Sequence, residues 1–143
     1  MNDKMTKAYL DCEFNGFGGE LISMALVDEN ECYFYEVLSC DAPIAWVAEH
    51  VIPILNQPAL SIQQFQLQLR NFLFHYDSVH IIADWPEDLS LFLNSLILGF
   101  GTSMTTPSMT LELYNKQHEL NVPSAQPHNA LQDALALKRT LFI

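Results

Sequence analysis

Three acidic clusters stand where a carboxylate would need a reason to be buried. Asp11 and Glu13 lie two apart in the alternating stretch Lys7-Ala-Tyr-Leu-Asp-Cys-Glu-Phe14. Residues two apart on a strand point to the same face. Burying two like charges side by side is costly unless a cation is present, whereas on a solvated face the pair needs none. His128-Asn-Ala-Leu-Gln-Asp133 opens the last stretch of helical periodicity. Five residues amount to roughly 500° of helical rotation, so His128 and Asp133 do not share one row. A His128 just before the first turn could face the same cleft as Asp133. Otherwise Asp133 is a favourable anion near a helix N-terminus and His128 a surface or capping residue. Ile81-Ile-Ala-Asp-Trp-Pro-Glu-Asp88 sets Asp84 at a strand end and Asp88 in the first turn of a helix, where capping would also suit both. Together these residues could do two things: bind a cation through carboxylate oxygens and move a proton through an imidazole.

The elements that must position them follow from periodicity. Lys7–Phe14 reads as a strand and is followed by the Gly-rich turn Asn15-Gly-Phe-Gly-Gly19. Leu21–Val27 is a continuous apolar run of strand length, and Cys32–Leu38 is rich in aromatic residues. Short connections make these three an antiparallel meander. Apolar residues then recur at helical spacing over Ile44–Leu55, with Pro53 as a late break, and over Ser61–Tyr76, with Ser61 as N-cap. Val79–Ala83 is a short buried strand. Asp84 as cap, the early Pro86, and Glu87 three positions after the cap announce a helix running to about Leu98, stopped by Gly99 and Gly101. Thr110–Tyr114 is the last strand, and a helix from about His128 to Phe142 closes the chain. This order predicts an α/β fold: a mixed five-stranded sheet, three antiparallel strands followed by parallel ones, with helices on both faces.

Composition bounds the rest. The chain has 143 residues, the size of one domain, and half are hydrophobic, enough for one sizeable core. No apolar run is long enough to span a membrane, and the Met1-Asn-Asp-Lys4 start lacks a signal-peptide core, so the expected location is cytoplasmic. Cys12, Cys32 and Cys40 form no C-x-x-C pair. Cys12 and Cys32 lie in apolar stretches and read as small, reduced core residues. No histidine stands at zinc spacing beside paired cysteines. The net charge is −11, from 17 acidic and six basic residues. That argues against gripping nucleic acid through a broad basic surface. It leaves open meeting phosphate through bound cations, which reverse the local charge.

The order of the clusters carries a resemblance. Asp11-Cys-Glu13 after a short apolar strand resembles the first motif of the DEDDh (DnaQ-like) 3′→5′ exonucleases. His128-Asn-Ala-Leu-Gln-Asp-Ala134 is similar to their third motif, His-x-Ala-x-x-Asp-Ala. The middle motif is an Asp at the start of a helix after a strand. Asp88-Leu-Ser-Leu-Phe-Leu93 fits it best, with Asp84 standing where the family often has asparagine. The usual His-Asn-Ala-x-Phe-Asp form is missing there. The tyrosine variant of the superfamily is excluded, since its tyrosine would stand at Asn129. The short length resembles small bacterial exoribonuclease members.

The resemblance implies a ribonuclease-H-like fold, with which the element order is compatible, and hydrolysis of single-stranded RNA or DNA from the 3′ end. RNA is favoured only through the small exoribonuclease members. It implies two Mg²⁺ or Mn²⁺ ions held by Asp11, Glu13, Asp88 and Asp133, with Asp11 bridging them. Such ions sit about 4 Å apart and act on both the attacking and the leaving oxygens. His128 would accept the proton from the attacking water. Phe14, Asn15 and Phe17 follow the first motif in a turn that could touch the terminal nucleotide, an aromatic there stacking on a base; Phe14 and Phe17 could equally pack into the sheet. Trp85 reads as a core or cleft-wall residue. His50, His75, His80 and His118 have no matching partners, and Arg70, Lys138 and Arg139 read as solvated charges. Relatives of this size form homodimers, so a homodimer is compatible with the resemblance.

Two other readings remain. The low basic content and irregular middle motif also fit a catalytically inactive nucleic-acid-binding or interaction module of the same fold. A ribonuclease-H-type nuclease cutting internally would release internal fragments in place of mononucleotides.

Overall fold

A computed structural model describes residues 5–114 and 122–142. His118 lies outside them. The chain begins with strands β1 (Met5–Phe14), β2 (Leu21–Asp28) and β3 (Tyr33–Leu38), the expected antiparallel meander. Helix α1 (Ala45–His50) runs into a 3₁₀ turn over Ile52–Ile54 that accommodates Pro53. Strand β4 (Ala59–Leu60) leads into helix α2 (Ile62–Leu73). Next come β5 (Ser78–Ala83), α3 (Pro86–Ser95), the short strands β6 (Ile97–Gly99) and β7 (Thr102–Ser103), β8 (Ser108–Leu113) and α4 (Ala130–Leu141).

Among the described residues the main sheet has six strands in the order β4-β3-β2-β1-β5-β8, not the expected five. The additional strand is β4, which pairs parallel to β3 over only two residues and is too short to leave a periodic signal. Strands β5 and β8 continue the sheet parallel to β1 and β5 respectively. The second correction concerns α3, which stops at Ser95 and not near Leu98. Ile97–Gly99 and Thr102–Ser103 form a separate antiparallel hairpin. The same glycines read as a helix stop instead serve its turn, where Gly101 takes a φ of 67° that side-chain-bearing residues rarely adopt.

Helices cover both faces, as expected. On one face, Phe65, Leu69 and Leu73 of α2 and Phe92 of α3 pack on Leu10, Cys12, Leu26 and Ile81. The spacing of four along α2 is the stripe read from the sequence, and each such fully buried side chain contributes about 1.5–3 kcal/mol. Ser61 caps this helix in a reciprocal capping box with Gln64. On the other face, Val47 of α1, Val51 just after it, and Ala130 and Ala134 of α4 pack on Ile22, Ala25, Val27 and Val37. Small residues on both sides of that contact let α4 lie close to β1 and β2. Cys12 is buried, but Cys32 is exposed, because it sits in the turn between β2 and β3; all three cysteines are free. No helix of the described residues is long and apolar enough to cross a membrane.

Candidate functional site

β1 and β5 are parallel, so their C-terminal ends lie at the same end of the sheet. Helix α3 starts there from one face, and the first turn of α4 reaches the same edge from the other. Asp11 and Glu13 share the β1 face that looks towards α4, with Ala25 and Ser23 as their cross-strand partners on β2. The acids expected from the sequence converge here, in two groups that have Asp11 in common. One is Asp11, Glu13 and Asp133; the other is Asp11, Asp84 and Asp88. Within each, ligand oxygens from the three side chains all lie within 4.8 Å of one another. Such groups could hold a metal ion. Asp84 and Asp88, alternatives in the sequence, both belong.

The helix start at this edge differs from expectation. Asp84 does not cap α3: the N-cap is Trp85, which makes no side-chain cap bond. Pro86 at the first helical position forces its predecessor into extended backbone, and Trp85 takes φ −138° and ψ 134°. Asp88 is 2 % exposed, in the first turn.

The electrostatics are those of crowded acids. Burial, then the neighbouring charges of Asp88, Glu13, Asp133 and Asp84, raise the Asp11 pKa well above the carboxylate range. Burial and the Asp133 charge push Glu13 up to about 8, against the opposing effect of its hydrogen bond with Asp11. Burial also raises Asp133, opposed by hydrogen bonds from Ser124 and the His128 backbone. Asp11 Oδ2 is buried and has no hydrogen-bond partner among the described residues. An all-oxygen donor set with an orphaned buried carboxylate oxygen at its centre suits a hard cation.

His128 takes a φ of 72° immediately before the N-cap Asn129, whose side chain accepts from the Gln132 amide at 3.1 Å. This bend lets the His128 N–H donate to Asp133 Oδ2 at 3.1 Å. The imidazole packs edge-on against Trp46, ring centroids 4.9 Å apart, and His50 stacks on Trp46 at 4.7 Å and meets His128 edge-on at 6.4 Å. His50, expected to have no matching partner, thus meets both Trp46 and His128, and Trp46 was not singled out in the sequence, although their spacing of four puts the two on one face of a helix.

Beside Glu13 runs a groove of 340 Å³ between Phe14, Phe17, Trp46, Trp85 and Glu87. Phe14 is part-buried against the sheet core, whereas Phe17 is 99 % exposed. Trp85 is a half-exposed wall of this groove and not a core residue. Glu87 ties the two rims together, accepting from Gly18 N–H at 3.0 Å and from Trp85 Nε1 at 3.1 Å. The Asn15 side chain braces the turn, donating to Ala42 O at 3.0 Å and accepting from Ile44 N–H at 2.9 Å.

Other residues turn out to be partnered away from this edge. His80 bridges Thr110 and Glu112 across β5 and β8, and His75 bonds the Phe72 carbonyl. Arg70 lies over the Phe74 ring, while Lys138 and Arg139 both pair with Glu31 and are not merely solvated. Compared with known families and curated proteins, the sequence matches no family model and no curated protein.

Proposed function

We propose that the chain is a metal-dependent 3′→5′ exonuclease of the DEDDh class, with a ribonuclease-H-like fold, acting on single-stranded nucleic acid, RNA foremost. The observation that carries this reading is the convergence of Asp11, Glu13, Asp84, Asp88 and Asp133 into two acidic groups joined through Asp11. Shared acids of that kind suit two Mg²⁺ or Mn²⁺ ions, with Asp11 common to both. Bound cations supply the charge stabilisation and the water activation that phosphodiester hydrolysis needs. They also answer the acidity of the chain, since acids that would repel phosphate become ligands.

The residues of the chain do the rest. Asp11, Glu13, Asp88 and Asp133 would hold the cations, with Asp88 and Asp11 Oδ2 buried at the back of the site. His128, tied through its backbone to Asp133, takes the proton from the attacking water. Phe14, Phe17, Trp46 and Trp85 line the groove beside Glu13, where base stacking holds the 3′ end without sequence preference. Asn15 serves by fixing the turn that carries Phe14 and Phe17.

The test is degradation of 5′-labelled single-stranded RNA and DNA with Mn²⁺, comparing the parent with Asp11→Ala and Asp88→Ala. A ladder shortening from the 3′ end, lost with EDTA and in both variants, is the expected result. A folded parent chain that yields no ladder on either substrate would sink catalysis. Internal fragments would instead identify an endonuclease.

A further inference from the structure

The two acidic groups differ in how the sequence motifs account for them. Asp11, Glu13 and Asp133 are all motif acids, but the second group contains Asp84, where the resemblance calls for a neutral asparagine. Strand register explains how Asp84 comes to be there. β1 and β5 pair in parallel with Tyr9 opposite Ile82. Both are buried in the same small cluster with Leu137 and therefore share a face. Two residues further along stand Asp11, still within β1, and Asp84, in the bend just after β5. Trp85, not Asp84, holds the N-cap position of α3. The carboxylate of Asp84 lies with those of Asp11 and Asp88 within 4.8 Å. An independent pointer to a ligand is Asp11 Oδ2, buried and without a partner among the described residues, on the side chain that both groups share.

We infer that Asp84 is itself a metal ligand, so that the second cation is held by three carboxylates of the chain and the protein carries two cations before any nucleic acid arrives. The inference rests on the metal-dependent reading above and adds a fifth acid to it. Affinity for a hard cation grows with the number and charge of its oxygen ligands. Asp84 therefore adds a third carboxylate to the second site, which is filled in the resting protein.

The experiment is a Mn²⁺ titration without nucleic acid, free Mn²⁺ being followed by its paramagnetic resonance signal. The chains are the parent, Asp84→Asn, Asp84→Ala and, as a neighbouring acid outside both groups, Glu87→Gln. The parent and Glu87→Gln are expected to bind two ions per chain. Asp84→Ala should keep one ion at unchanged affinity and bind the second about tenfold more weakly or worse, with Asp84→Asn between. Melting in EDTA should show both Asp84 variants at least as stable as the parent, since a repelling charge is gone. Two ions bound equally well by Asp84→Ala, or loss of folding in both variants, would overturn the inference. A parent that binds a single ion would overturn it while leaving the exonuclease reading standing. A parent that binds none would overturn both.

Discussion

The backbone N–H of His128 donates to Asp133 Oδ2 at 3.1 Å, five residues along the chain and across the start of α4. This bond depends on the left-handed backbone of His128, not on its side chain. Fixing the acid and carrying the imidazole are therefore separable. His128→Asn suits the same backbone conformation, retains the amide and removes the imidazole. If the proposed exonuclease reading holds, it should lower the rate of 3′-end hydrolysis by about 10²–10⁴-fold while Mn²⁺ affinity stays within about threefold. Single-turnover rates at saturating Mn²⁺, set beside a Mn²⁺ titration, check this. An unchanged rate would remove His128 from the proton transfer.

The cation-free protein should lose stability as pH rises. The folded-state pKa of Glu13 is about 8, above its ordinary 4.5, and Asp11 and Asp133 are raised as well, each chiefly by burial. For a group raised on folding, the stabilising contribution is complete below the unfolded value. It is lost as pH climbs through the folded one. Thermal melts in EDTA should therefore drop between about pH 4.5 and pH 8. Each kcal/mol lost lowers Tm by about 3–4 °C at this length. Millimolar Mg²⁺ or Mn²⁺ should flatten the profile by binding the ionised acids. A flat melt in EDTA, or a slope that cations leave untouched, would mean that these acids are not buried together.

How much of this was legible in the sequence varies with the physical signal. The meander, α2 with its Ser61 cap, and β5 declare themselves through alternation, helical period and capping chemistry. β4 does not, because two residues carry no period. The Ile97–Ser103 hairpin was hidden for another reason: its glycines read equally as a helix stop and as a turn. The four motif acids could be named because their order along the chain resembles the three motifs of a known family; taken singly, each also suited a solvated face or a helix start. Asp84 was named but left as an alternative to Asp88, since only the register of β5 against β1 brings both to Asp11. The contacts of Trp46 and His50 with His128 were missed because α1 is short and they join segments some 80 residues apart in sequence, which no local pattern records.

Phe17 offers the cleanest test of the groove. It is 99 % exposed and sits in the turn that Glu87 and Asn15 hold in place. An apolar ring in that setting contributes little to the fold, so Phe17→Ala should leave the melting temperature unchanged. Base stacking is worth about 1–3 kcal/mol, so KM for a single-stranded oligomer should rise by about 5- to 150-fold with kcat little altered. Steady-state kinetics on a defined oligonucleotide would decide. Unchanged KM would show that the 3′ end does not use this rim.

Asn129 joins the fold to the site. Its Oδ1 accepts from Gln132 N–H at 3.1 Å and caps α4. Its Nδ2 donates to the Ile54 carbonyl at 2.9 Å and to the Tyr35 hydroxyl at 3.3 Å, holding the first turn of α4 against the segment after α1. Tyr35 in turn donates to the Leu55 carbonyl at 2.5 Å, so one buried amide closes a network of three segments. Replacing Asn129 by alanine removes a cap worth about 1 kcal/mol and leaves the Ile54 carbonyl short of a donor at a cost of about 1–3 kcal/mol. The expected loss is about 2–4 kcal/mol in urea denaturation. Activity should fall in parallel, because His128 and Asp133 ride on the same turn. Asn129→Asp keeps the cap acceptor but not the donor, and should sit between the two. A loss below about 0.5 kcal/mol in the alanine variant would mean that α4 is held at this edge by its alanine face alone.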